Sequence, residues 1–136
     1  MKAFDTPILL SLHQGEAEVR TLLRKLRGVE VATTEYNMLE LSVLANGGSA
    51  RHRAGRIKAI DRLRGKLTVL PITTAAVREA TARIVGNSQV SYPPAQLAML
   101  GALEAEGCDE LYTDRHTQFP GQWRFKVTSI APSHHK

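Results

Sequence analysis

The stretch Lys2-Ala3-Phe4-Asp5-Thr6-Pro7-Ile8-Leu9-Leu10 places one carboxylate between two short apolar segments. Ala3 and Phe4 are typical of a short buried strand, and Pro7 is favoured in the first turn of a helix. Asp5 is therefore predicted to lie at a strand-to-helix junction, where Asp is a frequent helix N-cap. Capping alone would explain this acid, so any further role depends on which side chains the rest of the chain brings near it.

Length and cysteine content limit the class of protein. The chain has 136 residues and one cysteine, Cys108. This length favours a single domain, which we place at residues 1–131, followed by a disordered tail at 132–136. A lone cysteine excludes an internal disulfide and a thiolate-rich zinc site, and it fits a reducing cytoplasm. No apolar run is long enough to span a membrane and no signal peptide precedes Asp5, so we expect a soluble cytoplasmic protein.

Basic residues outnumber acidic residues by 18 to 13, which gives a net charge of +5. Seven of the basic residues fall in one sixteen-residue stretch in which Asp61 is the only acid. They are Arg51, Arg53, Arg56, Lys58, Arg62, Arg64 and Lys66. Such a cluster is either a solvated helix face or a contact surface for nucleic acid, because phosphates attract cations whatever the base sequence.

Apolar periodicity and turn residues predict short strands that alternate with helices. The predicted strands lie at residues 3–4, 29–32, 67–70, 108–112 and 124–130. The predicted helices cover about 6–13, 16–27, 35–45, a basic helix that ends near 64, 74–85 and an apolar helix that starts near 93. In the basic helix, Ile57, Ile60 and Leu63 are spaced for one buried stripe. The alternation is typical of a three-layer α/β/α fold with a central, mostly parallel sheet of four to five strands.

Three acids are predicted to meet at one edge of this sheet. Asp5 ends the first strand, Asp114 follows the fourth, and Glu40 lies in the helix after the second. Ligands of doubly wound sheets bind beyond the carboxyl ends of the strands, where the winding reverses. The acids converge there if the first strand lies between the second and the fourth. Glu40 would otherwise only reach solvent from the edge of its helix.

Converging carboxylates repel one another unless a hard divalent cation neutralises them, and their oxygen atoms suit Mg²⁺ or Mn²⁺. Such an ion can activate water for attack on a phosphoryl group. Other uses of a doubly wound fold fit less well. The first strand-to-helix turn lacks the glycines of a dinucleotide site, there is no Walker lysine loop, and Pro7 replaces the second Asp of an aspartyl phosphotransferase.

Phe4-Asp5-Thr6 resembles the opening motif of the PIN-domain family, in which the Asp binds metal. Asn37 and Glu40-Leu41 resemble its second motif, and the segment 107–113 resembles the approach to its last acidic motif. The similarity extends over essentially the whole chain and is greatest to the VapC-like ribonuclease toxins of prokaryotic toxin-antitoxin pairs. It implies a metal-dependent endoribonuclease that forms a homodimer and is silenced by a small antitoxin protein.

The resemblance also implies a set of site residues. Asp5, Glu40 and Asp114 would be catalytic and would bind Mg²⁺ or Mn²⁺, with Gln96 as a weak fourth ligand. The supporting residues would be Thr6, Asn37 and Thr113, and the candidate RNA-binding residues are Arg51, Arg53, Arg56, Lys58 and Arg62.

Two positions depart from the family pattern. The family usually has an acid at the start of the apolar helix, where this chain has Gln96, or Ala95 if one gap is allowed. In the last motif the acid often stands two residues after the threonine, at Arg115 here, whereas this chain has Asp114. A neutral amide can still coordinate a cation, but it removes one negative charge and lowers metal affinity. A catalytically weakened module that binds RNA or a protein therefore stays open, as does a phosphatase acting on phosphomonoesters.

Overall fold

The structure, a computed structural model, describes residues 1–47, 49–85, 92–114 and 117–130. The strands within these ranges are β1 (Lys2–Phe4), β2 (Val31–Thr34), β3 (Thr68–Leu70), β4 (Glu110–Asp114) and β5 (Lys126–Ile130). The helices are α1 (Thr6–His13), α2 (Ala17–Lys25), α3 (Glu35–Ala45), α4 (Ala50–Arg64), α5 (Thr74–Ile84) and α6 (Pro94–Ala105). Arg115 and the tail predicted at 132–136 lie outside the described residues.

The five strands form one parallel sheet in the order β3-β2-β1-β4-β5. Lys2 of β1 is opposite Val31 on one side and Glu110 on the other. The winding therefore reverses at β1, and both the predicted α/β/α class and the central place of the first strand are confirmed. No helix in the described part of the chain is long and apolar enough to cross a membrane.

Two apolar clusters cover the two faces of the sheet. One packs helices α1 to α4 against the face that carries Phe4 and Tyr112. The other packs α5 and α6 against the face that carries Ala3 and Leu111. Successive strand residues point to opposite faces, so Ala3 and Phe4 enter different clusters. Burial on both faces explains why these strands are mostly apolar or small.

The crossing of α5 and α6 requires a glycine at position 101. A Cβ atom at Gly101 would lie 1.9 Å from the carbonyl oxygen of Ala76 and 3.1 Å from the Cβ of Ala80. No side chain fits in that space, because the obstructing atom is backbone that cannot turn away. The close crossing holds α6, whose first turn carries Gln96, against its neighbour.

Two strands lie further along the chain than predicted. β2 covers Val31–Thr34 instead of 29–32, because Val29 and Glu30 are exposed while the two threonines that follow Ala32 are buried. β4 extends to Asp114, which pairs with Ile130. The prediction that this strand ends at residue 112 was therefore wrong, because β5 supplies a partner for both Thr113 and Asp114.

The buried stripe predicted for α4 is also shorter than expected. Ile60 and Leu63 are buried, but Ile57 is 53% exposed. No residue of α4 before Ile60 is buried, so the first part of this helix extends past the apolar cluster. Hydrophobic spacing identifies the inner face of a helix, but it does not show how much of the helix has a neighbour.

Candidate metal centre

A cavity of about 410 Å³ opens beyond the carboxyl ends of β1 and β4, where the winding reverses. Its lining includes all four predicted metal ligands, which are Asp5, Glu40, Gln96 and Asp114. Thr6 and Asn37, two of the predicted supporting residues, line it as well. The structure thus brings residues from α3, α6 and the ends of two strands to one place.

Asp5 caps α1 and faces the cavity at the same time. The backbone N–H of Ile8 donates to its Oδ1 at 3.4 Å, and the hydroxyl of Thr113 donates to its Oδ2. Asp5 is 2% exposed, and this burial raises its pKa to about 7. The two hydrogen bonds lower the pKa and the charge of Asp114 raises it, but loss of solvation is the largest effect. The capping prediction and placement in the cavity are therefore compatible.

The register of β1 and β4 explains why Asp5 meets Thr113. Phe4 is paired with Tyr112, so the next residue of each strand lies at the same level. Thr113 is completely buried, which leaves Asp5 as the acceptor of its hydroxyl. Asp114 follows at the cavity wall, where its Oδ1 accepts a 2.6 Å hydrogen bond from the hydroxyl of Thr117.

Glu40 is held by a tyrosine that the sequence analysis did not single out. The hydroxyl of Tyr36, one helical turn earlier, donates to Oε2 of Glu40 at 2.8 Å. Burial raises the pKa of Tyr36, the bond to Glu40 raises it further, and a hydrogen bond with Gln96 lowers it. Tyr36 therefore links the acid of α3 to the amide of α6. Its spacing of four residues from Glu40 is the sequence signal that could have identified it.

The pKa of a second tyrosine, Tyr92, is affected by all three acids. Its pKa is raised by burial and then by the negative charges of Asp5, Glu40 and Asp114. Its ring packs edge-to-face against Phe119, with 6.2 Å between the ring centroids. The three carboxylates thus all act on the hydroxyl of Tyr92. Tyr92 and Phe119 together form an aromatic wall of the cavity.

Buried polar side chains fix α3 to the start of α1. Asn37 accepts a hydrogen bond of 2.7 Å from the hydroxyl of Thr34 and donates one of 3.0 Å to the hydroxyl of Thr6. The hydroxyl of Thr33 donates to the carbonyl oxygen of Phe4 at 2.8 Å. These bonds set the position of the helix that carries Glu40 relative to Asp5.

The donor set has the chemistry of a site for a hard divalent cation. Three carboxylates and one amide oxygen line the cavity, and no Lys or Arg is among its described lining residues. The three acids are not closely grouped, since the described residues contain no set of three His, Cys, Asp or Glu in metal-binding proximity. The carboxylate of Glu40 accepts a hydrogen bond from the hydroxyl of Tyr36. The residue types fit Mg²⁺ or Mn²⁺, and a bound ion would have to compete with the Tyr36 hydroxyl for Glu40.

The predicted RNA-binding residues lie on α4, away from the acids. Arg51, Arg53 and Lys58 are exposed, and none of the five basic candidates is among the described lining of the acidic cavity. Arg56 is half-buried, and its Nε donates to the carbonyl oxygen of Ala45 at 2.5 Å. Arg56 and Arg62 line separate depressions on the same side of the molecule.

No family profile matches the sequence, and no curated protein matches it. Solved structures do match. VapBC2 from Rickettsia felis, bound to a promoter DNA fragment, has a TM-score of 0.78 at 12% identity, over 95% of this chain and 98% of the other. DNA-bound VapBC from Salmonella typhimurium has a TM-score of 0.72 at 14% identity, over 94% and 96%.

A third similar structure is that of a single named toxin. Mycobacterium tuberculosis VapC20, described as a sarcin-ricin loop cleaving toxin, has a TM-score of 0.57 at 20% identity, over 82% of this chain and 87% of the other. Nearly the full length of this chain thus follows one architecture. The chain therefore has the fold of the VapC-like PIN-domain proteins, as its short motifs predict.

Proposed function

We propose that this chain is a metal-dependent endoribonuclease of the VapC type and the toxin of a toxin-antitoxin pair. The observation that supports this most is the convergence of Asp5, Glu40 and Asp114 on one cavity at the winding reversal. VapC20, which shares the fold, is a toxin that cleaves the sarcin-ricin loop.

In this proposal, Asp5, Glu40 and Asp114 hold Mg²⁺ or Mn²⁺, and the amide oxygen of Gln96 is a weaker ligand. The ion, when bound, offsets charge on an RNA phosphodiester and activates water. Thr113 orients the carboxylate of Asp5 through its hydroxyl, and Asn37 fixes α3 through its bond to Thr6. The aromatic wall at Tyr92 and Phe119 offers rings on which an unpaired base can stack.

The proposed protein partners are a second copy of the chain and a small antitoxin. Similar solved structures include toxin-antitoxin complexes. On this chain, α3 and α4 expose four large apolar side chains, and exposed apolar groups of this kind are typical of protein contact surfaces. They are Leu39, Val43, Leu44 and Ile57.

The direct test is RNA cleavage by the wild-type protein and Asp5→Asn, each with Mn²⁺ and with EDTA. We expect cleavage only by the wild-type protein with Mn²⁺, and a loss of about 100-fold or more in the variant, because a metal ligand is removed. Asp61→Asn removes an exposed acid on α4 and serves as the control of equal charge. Cleavage that persists both in EDTA and in Asp5→Asn would exclude the metal mechanism.

Two observations favour a second function, a binding module with little catalytic power. The chain has Gln96 at the position in α6 where an acid was expected, and the hydroxyl of Tyr36 donates a hydrogen bond to Glu40. Both features weaken metal binding, because one charge is missing and one ligand is engaged.

The variants Gln96→Asp and Tyr36→Phe separate the two functions. Both are expected to raise Mn²⁺ affinity, the first by about tenfold or more because a fourth carboxylate is added, the second by less. Titration calorimetry measures this affinity without reference to cleavage. An endoribonuclease gains cleavage together with affinity in Gln96→Asp, whereas a binding module gains affinity alone. Unchanged affinity in both variants would mean that these side chains do not act on a shared ion.

A further inference from the structure

Three depressions lead away from the acidic cavity over the surface of α1 to α4. The first shares Leu10 and Leu44 with the cavity. The second shares His13 with the first, and the third shares Leu23 and Lys66 with the second. Neighbouring depressions have lining residues in common, so they follow one another from the acidic cavity to the end of α2. We call these three depressions the basic track.

The cavity and the basic track have opposite charge. The described lining of the track contains six Lys or Arg residues and no Asp or Glu. The six are Arg20, Arg24, Arg27, Arg56, Arg62 and Lys66. Four of them line the outermost depression, which has a volume of about 540 Å³ and an apolar floor that includes Leu26 and Val31. The charge of the lining residues therefore changes from negative in the cavity to positive in the basic track.

The cations of the basic track are available to a ligand. Within the described part of the chain, none of the six takes part in a salt bridge, although Arg64, Arg83 and Arg124 elsewhere do. A guanidinium that has no carboxylate partner can bind a phosphate without first losing an ion pair.

We propose that an RNA strand lies along the basic track, with its phosphates on the cations of α2 and α4 and its reactive phosphodiester at the acids. This inference rests on the proposed function, because it takes RNA as the substrate of the cavity. A polyanionic ligand explains why the described lining of the track contains no acid. The three acids lie in the cavity, where a bound cation can bridge them to a phosphate. It also gives a binding role to Arg20, Arg24 and Arg27, which lie outside the basic stretch at residues 51–66.

The position of the track separates it from the basic stretch predicted from sequence. Of the five predicted RNA-binding residues, Arg56 and Arg62 line the track, whereas Arg51, Arg53 and Lys58 line none of its depressions. The chain thus offers two sets of three exposed cations that differ in location but not in charge. The first set is Arg20, Arg24 and Arg27, and the second is Arg51, Arg53 and Lys58.

The test compares R20Q/R24Q/R27Q with R51Q/R53Q/K58Q. Binding of fluorescent single-stranded RNAs of about 6 and about 20 nucleotides is measured by anisotropy in EDTA over a range of salt concentrations. We expect the first variant to bind the longer RNA about tenfold or more weakly than the wild-type protein. Its plot of log affinity against log salt should be shallower by about 2, or about 0.7 for each of three lost phosphate contacts. The second variant removes three residues that the sequence predicted to bind RNA but that line none of the depressions, so the track proposal expects its affinity to stay within about threefold of wild type, against the sequence prediction.

Each outcome has a defined meaning. Equal weakening in both variants would overturn the track, since only net charge would then matter. Unchanged RNA binding in R20Q/R24Q/R27Q would also overturn it, and loss of binding to an acidic protein instead would assign the track to a protein partner. If the wild-type protein cleaves no RNA but binding still depends on Arg20, Arg24 and Arg27, the track stands and the nuclease proposal fails. The substituted side chains are exposed, so circular dichroism should show a wild-type fold.

Discussion

Without divalent cations, Asp5→Asn is expected to be more stable than the wild-type protein at pH 8, and this advantage should shrink towards pH 4. Asp5 is 2% exposed, and burial raises its pKa to about 7. In the unfolded chain the carboxyl of Asp5 ionises near its ordinary pKa of 3.8. Between about pH 4 and pH 7 the folded state therefore binds a proton at Asp5 that the unfolded state does not bind. The contribution of Asp5 to the stability of the wild-type protein therefore falls as pH rises from about 4 to 7.

The size of this effect follows from the difference between the two pKa values. Full ionisation above pH 7 costs up to about 4 kcal/mol of unfolding free energy, and relaxation around the charge reduces that figure. Asparagine carries no charge and can still accept the N–H of Ile8 with its amide oxygen, so it avoids the cost. Urea unfolding at pH 4.5 and pH 8 in EDTA measures the difference.

The same measurement tests whether Asp5 binds an ion. Adding Mn²⁺ at pH 8 should stabilise the wild-type protein and leave Asp5→Asn unchanged, because binding to the folded state alone raises stability. Asp61→Asn, which alters an exposed acid, should stay within about 0.5 kcal/mol of wild type at both pH values. If the difference in unfolding free energy between the wild-type protein and Asp5→Asn is the same at pH 4.5 and pH 8, ionisation of Asp5 does not destabilise the fold.

A carboxylate that destabilises its own fold is typical of a functional site. Asp5 is buried beside Asp114 and has no cationic side chain in the described lining of its cavity. Capping α1 does not require this burial, because an exposed Asp can cap a helix as well. The cost is therefore better explained by a ligand that brings positive charge to the cavity.

The sequence was sufficient to predict the sheet and to place Asp5, Glu40 and Asp114 at its edge, and the family resemblance added Gln96. Asp5 directly follows a two-residue apolar segment and precedes Pro7, which fixes the strand end and the helix start within one residue. Parallel strands align their carboxyl ends, so once β1 is central, Asp5, Glu40 and Asp114 come to the same edge of the sheet. These are consequences of local sequence and topology, which are the features that sequence patterns contain.

The partners of those side chains were harder to predict. The contact of Tyr36 with Gln96 joins two helices that are distant in sequence, and it depends on the angle at which α3 and α6 pack. The basic track has the same origin, since Arg20 to Arg27 and Lys66 share a depression only because α2 lies beside the end of α4. Charge clusters along the chain therefore pointed to α4 alone and missed α2.

The largest loss of stability is expected at Glu104, which no sequence motif marks as important. Its carboxylate is 1% exposed on α6 and holds three groups. Its Oε2 accepts Arg83 of α5 at 2.8 Å and the Nε of Arg124 at 2.9 Å, and its Oε1 accepts the backbone N–H of Arg124 at 2.9 Å. One carboxylate thus connects α5, α6 and the segment that leads into β5.

Glu104→Ala should lower the free energy of unfolding by about 3–5 kcal/mol, because it leaves Arg83 partly buried without its closest counter-charge and the N–H of Arg124 without an acceptor. Glu104→Gln keeps the shape and one acceptor, so we expect it to lose roughly half as much stability.

Glu79→Ala is the matched control, since that acid also pairs with Arg83 but at 3.6 Å and one-third exposed. Such a pair contributes less than about 1 kcal/mol. Urea denaturation followed by circular dichroism measures all three variants. A loss below about 1 kcal/mol in Glu104→Ala would mean that the two arginines find solvent or other partners, and that α5, α6 and β5 are held together by apolar packing alone.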